Sequence, residues 1–430
     1  MKKILLILAS LCVCIVVTAK TAREEIDENI MLSCSNYLVY PEPDGVKYTK
    51  APKGYTPFYI SSYHRHGSRY LIAKNDYLKP QQILHRADSL GLLTDEGIKV
   101  MGKVDSVCAL ADNRYGELTN KGYKQHQGVA QRMYNNFPQV FKGSKTIDAR
   151  STDVIRSILS MFAETSTLLA NNPKLNLFID ASLYDMYYMN HWFNPINEQY
   201  GKTTEVKECK NDFKQKHRNP ERLIGELFTS YPDTLSNLWS KDKMYNSLWE
   251  IAANLQNLDT NIDMLYLFTK NECYDNWSLS NTHWYLESGP SLQTKQMKPY
   301  VHCNLLRQII SAADEAIEHD SIAATMRFGH DSVVLPLAML MRLDNYYYVT
   351  GDMETLGDNW QAYKIFPMAC NIQLIFYKSK KSSNPVLVKI MLNERECSIP
   401  IDACYGPYYE WNKVKDFYLN NVLKNIPTPK

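Results

Sequence analysis

The sequence carries almost no net charge: 48 Lys and Arg against 46 Asp and Glu leave +2 across 430 residues. Binding nucleic acid needs a basic face or stripe, so that partner class is excluded and any anion site must be local. Beyond the first residues there is no apolar run long enough to cross a membrane. No internal repeat or low-complexity tract occurs, which excludes repeat architectures. The ten cysteines show no CxxC spacing, which argues for disulfides over zinc.

What is present reads as an ordinary globular chain, 45% hydrophobic and 22% charged. Its length suffices for one large domain or two ordinary ones. The N-terminus, MKKILLILASLCVCIVVTAKT, has Lys2 and Lys3, an apolar Ile4 to Val17 and a small-residue site at Val17-Thr18-Ala19. The expectation is a signal peptide over residues 1–19, cut after Ala19, with a secreted or periplasmic product. An uncleaved anchor is the alternative. The mature chain keeps Cys34, Cys108, Cys209, Cys273, Cys303, Cys370, Cys397 and Cys404. This even set suits an oxidising compartment, and Cys397 and Cys404 are spaced to pair locally; buried free thiols are the other reading.

Strand-like runs occur at Phe58–Tyr63, Thr146–Ala149, Ile372–Tyr377 and Val386–Leu392. Helical patterns cover Leu118–Asn136, Ser247–Leu265 and Leu305–Ile317. A further helix follows Ala149, with Val154, Ile158, Met161, Phe162, Leu168 and Leu169 at helical spacing and Ser151 or Thr152 as its cap. Strands alternating with helices at both ends predict an α/β fold, a mixed, mostly parallel sheet flanked by helices. The expected division is a core in two parts, 20–175 and 301–430, around a mainly helical insertion at 176–300.

Three stretches could carry chemistry. YHRHGSRY (Tyr63–Tyr70) follows an apolar strand and packs two histidines and two arginines around Gly67. Such a loop at a strand's C-terminal end is where α/β sheets bind ligands. The guanidinium forks of Arg65 and Arg69 match phosphate or carboxylate oxygens. Their charge also disfavours imidazolium, keeping His66 neutral and nucleophilic. An H-x-H metal pair of His64 and His66 is opposed by the adjacent arginines. In ARSTDVIRS, Arg156 can leave the apolar helix face, reaching an anion or pairing with Asp153. In RFGHDSVVLPL, His330 and Asp331 fall between strand and helix, suited to oxyanion stabilisation and proton donation, or to helix capping by Asp331. Pro336 suits the first turn of that helix.

Taken together, RHGSR (Arg65–Arg69), RSTDVIR (Arg150–Arg156) and FGHD (Phe328–Asp331), in this order, resemble the histidine acid phosphatases, branch two of the histidine phosphatase superfamily. R-H-G-x-R alone arises by chance in roughly a few per thousand chains of this length. LTNKGYKQH (Leu118–His126) resembles the family's LTxxGxxQ element, and MACNIQLIFY (Met368–Tyr377) one of its late strands. The resemblance implies a phosphoglycerate-mutase-like core and His66 as the nucleophile that becomes phosphohistidine. It implies phosphate binding by Arg65, Arg69, Arg156 and His330, and proton donation by Asp331. It implies no metal or cofactor, since three arginines supply positioning and charge neutralisation, and a small phosphomonoester as partner. The start, RHGSRY and the late NEREC segment resemble bacterial relatives of the multiple inositol polyphosphate phosphatases. Those typically carry HAE where this chain has His330-Asp331-Ser332, a departure towards the general acid phosphatases. Lys74, Lys79, Lys142 and Lys145 are available for further phosphates, without a sequence argument that places them. A broad-specificity phosphatase, a mutase-type transferase and a non-catalytic phosphate-binding surface protein are the alternatives; retention of every expected position argues against the last.

Overall fold

The computed structural model describes residues 20–43, 45–189, 194–424 and 426; the expected signal peptide lies outside them. Among the described residues, eight strands form one mixed sheet: β1 (Tyr55–Arg65), β2 (Thr146–Ser151), β3 (Asn176–Asp180), β4 (Ile322–Gly329), β5 (Asn371–Ser379), β6 (Leu387–Leu392), β7 (Arg395–Cys397) and β8 (Tyr408–Glu410). The order is β3-β2-β4-β1-β5-β6-β7, with β8 also pairing β6. Strands β3, β2, β4 and β1 run parallel, and β5 turns the sheet antiparallel.

β1 is continuously buried from Phe58 onward because helices cover both of its faces. Tyr59 and Tyr63 pack with the helices Cys303–Glu318 and Asp331–Leu340, while Ile60 packs with Met133, Met161 and the small residues of β2 and β4. Between β3 and β4 the described residues add no strand to the sheet; the longer helices there are Thr204–His217, Lys241–Asn254, Lys270–Ser288 and Cys303–Glu318. No helix among the described residues is long and apolar enough to cross a membrane.

Several local expectations need correction. The helix expected over Ser247–Leu265 is Lys241–Asn254 plus a short 3-10 turn to Asn257. Asp259, Thr260 and Asn261 compete for backbone hydrogen bonds and favour turns over helix. Pro336 sits well inside the Asp331–Leu340 helix rather than in its first turn. The helix tolerates it because the Ser332 carbonyl, which Pro336 cannot serve, takes a hydrogen bond from His302 Nε2 at 3.1 Å. All eight described cysteines are free thiols. Six are buried and pack as small apolar residues; Cys397 is buried in the core while Cys404 is exposed, its Sγ on the Tyr408 carbonyl.

Candidate active site

Parallel register brings three strand ends to one edge: Arg65 stands opposite Gly329, and Ser151 opposite Phe328. The segments leaving these strands carry His66, Arg156, and His330 with Asp331. The first is held from both sides. Arg65 N–H donates to the Cys370 carbonyl (2.8 Å), His66 N–H to that of Gly329 (2.9 Å), and the His66 carbonyl accepts from Ala369 (3.0 Å).

LTNKGYKQH explains the rest of the loop. Thr119 caps the Asn120–Asn136 helix through Gly122 N–H and also donates from Oγ1 to the Ser68 carbonyl at 3.0 Å. Gln125 accepts from Ser68 N–H (2.9 Å) and donates to Ser68 Oγ (3.0 Å). Gly67 and Gly122 lie backbone against backbone, and a Cβ on either would collide with the other segment. Gly67 has no positive φ; it is glycine because a helix touches it.

The structure brings all six sequence-derived site residues together. His66 Nδ1 lies 2.9 Å from the Gly67 carbonyl. A carbonyl only accepts, so Nδ1 carries the proton and Nε2 keeps its lone pair. Burial, then Arg156, Arg65, Arg69 and His330, hold its pKa well below the ordinary histidine value. Arg65 donates to the Phe366 carbonyl (2.6 Å) and pairs with Asp331 Oδ2 (2.8 Å). Arg69 donates to the Tyr70 carbonyl (2.9 Å) and lies 5.6 Å from the Tyr37 ring centre. Burial and Arg69, against Asp331, push Arg156 down to about 10. The Nε atoms of Arg65, Arg69 and Arg156 are buried without hydrogen-bond partners, donors that an anion can use. The rings of His66 and His330 are 5.7 Å apart, and His330 Nε2 lies 3.1 Å from Thr152 Oγ1. Burial favours a neutral Asp331, but Arg65, Arg69 and His330 outweigh it and hold the carboxyl below the ordinary aspartate value.

The helix after β2, Ile155–Asn171, departs from its expected face. Its N-cap is Val154, without a side-chain cap; Thr152 serves His330 instead, and Ser151 Oγ donates to the Thr152 carbonyl. Met161 and Leu168 are buried as expected, yet Phe162 is 53% exposed. The face turned to the site is polar: Arg156, Ser157 on the Gly329 carbonyl, Ser160 accepting from Gly67 N–H at 3.2 Å, and the fully buried Glu164. Nor is His64 an idle strand-end residue. It lies 3.0 Å through Nδ1 from Glu164 Oε1, which also takes His126 Nδ1 at 2.6 Å.

A cavity of about 330 Å³ opens over these groups, lined by His66, Arg69, Arg156, His330 and Asp331. Its far wall brings Lys298, His283 and Glu287, which sequence reasoning missed, since nothing in MKPYVH or THWYLES marks them. Lys298 donates to Asn197 Oδ1 (2.5 Å) and lies 3.4 Å from Glu287, which also pairs with Lys210. None of Lys74, Lys79, Lys142 and Lys145 lines the cavity.

Residues 63–393 match the model of the histidine phosphatase superfamily (branch 2). No curated protein matches the sequence. Among solved structures, the chain is similar to the multiple inositol polyphosphate phosphatase of Bifidobacterium longum in complex with inositol hexasulfate, with TM-score 0.74 and 18% identity over 91% of this chain and 98% of that one. The same protein in complex with phosphate gives TM-score 0.72 and 19% identity over 90% and 98%. The phytase from D. castellii gives TM-score 0.62 and 14% identity over 93% and 88%. At these identities the likeness is one of fold. The match spanning most of the chain, from the strand before His66 to beyond β6, places this protein in the histidine phosphatase superfamily, branch 2.

Proposed function

We propose that the protein is an exported phosphomonoesterase that works through a phosphohistidine at His66. One observation carries this reading: an imidazole with Nδ1 committed to a carbonyl and Nε2 unprotonated, ringed by three arginines and His330, with Asp331 in the same cavity. The arginines and His330 hold the three non-bridging oxygens, and Nε2 attacks phosphorus. The ester P–O bond breaks, and the leaving oxygen takes the Asp331 proton. Asp331 rests ionised against Arg65; bound phosphate draws that positive charge to itself, and the carboxyl then protonates more readily. Once deprotonated, it takes a proton from water, whose oxygen displaces the imidazole. The N-terminal Lys2–Ala19 pattern supports export.

Inositol polyphosphates are the favoured substrates, supported by Lys298 across the cavity and by the inositol hexasulfate complex of the B. longum enzyme. A broader phosphatase acting on sugar or other small esters is the second reading, favoured by Asp331-Ser332 in place of HAE and by Glu287, which sets a carboxylate in the cavity wall. Phosphate release from phytate, lower inositol phosphates, sugar phosphates and nucleotides, measured across pH with a chelator present, separates the two. Preference for phytate supports the first reading and equal rates the second. No release from any ester sinks both.

A further inference from the structure

Next to the phosphate loop, but outside the cavity lining, lie three ionisable side chains of zero exposure: His64, His126 and Glu164. They come from three elements, β1 and the helices Asn120–Asn136 and Ile155–Asn171. Burying a carboxylate costs several kcal/mol unless it is paired and hydrogen-bonded, so the group needs a reason. Glu164 Oε1 accepts from His126 Nδ1 at 2.6 Å and lies 3.0 Å from His64 Nδ1, an ion-pair distance without hydrogen-bond geometry. His64 Nε2 reaches Ser62 Oγ at 2.8 Å, and its ring stacks on Phe328 at 4.8 Å.

The cluster touches every part of the site at one remove. Along one helix, Arg156, Ser160 and Glu164 stand one turn apart: phosphate grip, loop anchor and buried charge. His64 precedes the nucleophile by two residues, His126 follows the loop-holding Gln125, and Phe328 precedes His330 by two. The cavity itself is crowded with cations; burial favours a neutral Glu164, but His64 and His126 outweigh it and hold the carboxyl below its ordinary value, a buried negative charge one helical turn beyond Ser160.

We propose that Glu164, clamped by His64 and His126, is a positioning residue: it fixes the His66 loop and supplies the buried countercharge that tunes the site's proton affinities. This rests on the nucleophile reading above. Facing His66 are Arg65 and Arg69 from its own loop, Arg156 from the helix, and His330 and Asp331 from the β4 end. Among the described residues, the ionisable groups that act on Glu164 are His64 and His126. Removing the carboxylate charge disfavours protonation nearby, so both His66 and Asp331 lose protons more easily.

The test compares Glu164→Gln, which keeps shape and loses charge, with Glu164→Asp, which keeps charge and loses reach. With p-nitrophenyl phosphate, Glu164→Gln lowers kcat roughly ten- to a hundredfold with KM nearly constant. Both limbs of its kcat/KM profile move to lower pH, by roughly half a unit. Glu164→Asp lowers kcat and leaves the limbs in place. A profile that stays put in Glu164→Gln while activity falls makes the cluster a plain packing element and overturns the proposal; so does full activity. Should Glu164→Gln give no cooperative melt, His126→Asn and His126→Leu carry the test. The asparagine amide keeps a donor where Nδ1 stands and holds kcat within about threefold, whereas leucine costs about tenfold or more; equal losses contradict it. Stoichiometric zinc or another transition metal on elemental analysis also overturns it, since the imidazoles would then be ligands. If the unaltered protein releases no phosphate from any ester, the nucleophile reading fails by itself. The Glu164 claim is then read from binding of inorganic phosphate, whose pH dependence moves the same way in Glu164→Gln or refutes it by staying fixed.

Discussion

His64 and His66 stand two residues apart on one strand end, equally buried, in opposite electrostatic surroundings. His64 faces a carboxylate that it shares with His126. His66 faces three guanidiniums and a second imidazole, and its proton affinity is driven down accordingly. One is held by charge; the other is activated by it. The lesson is that the sign of the neighbours, brought in by two distant helices and β4, sets the chemistry of each ring.

Breaking each side of this contrast should give unequal effects. His66→Ala removes the attacking nitrogen, and turnover of p-nitrophenyl phosphate should fall roughly 10⁴-fold or more; His64→Asn, which keeps a donor beside Glu164, should cost about tenfold or less. Asp331→Asn should slow glycerol phosphate or phytate by roughly 10²- to 10⁴-fold and p-nitrophenyl phosphate far less, because a good leaving group departs without protonation. An equal loss on both would count against Asp331 as the acid.

The electrostatic part is sharpened by pH. His66 must be neutral to attack, and its lowered pKa keeps it so into acid solution, so activity should persist below the ordinary histidine range. Arg156 is the largest charge acting against imidazolium. Arg156→Gln should therefore raise the His66 pKa and move the acid limb of kcat/KM to higher pH, by about half a unit or more, with weaker phosphate binding. An unmoved limb would break the assignment. Gly122→Ala drives a Cβ into the Ser68 backbone and should cost about 1–3 kcal/mol, read as a lower Tm with reduced kcat. Lys142→Ala, exposed and outside the cavity, should change stability by less than about 0.5 kcal/mol and leave the rate on phytate unaltered.

Much of this was legible from local pattern. The strand before His66, the helix over Asn120–Asn136 and the strand–turn–helix around His330 each carry their own periodicity and breakers, and the three motifs carry their own charges. What stayed hidden depends on contacts between distant segments. Glu164 sits in a run that reads as one turn of an amphipathic helix, and only the packing of that helix against the Asn120–Asn136 helix, β2 and β4 shows that polar residues are buried beside Met161 and Leu168. Lys298 and Glu287 meet in the cavity wall from two helical segments with no shared motif. The reason for Gly67 is its contact with Gly122, a helix residue that no local pattern brings beside it. The cysteine count favoured disulfides because spacing says nothing of depth; six of the eight described thiols are buried.

The central claim is that His66 takes the phosphoryl group. Rapid quenching of the enzyme with ³²P-labelled substrate into alkali, where phosphohistidine survives, followed by peptide mapping, tests it directly. The account predicts label on the peptide containing His66, absent from His66→Ala and accumulating in Asp331→Asn with a good leaving group. Label on any other residue, or turnover by the active enzyme with no labelled peptide at any quench time, would contradict it.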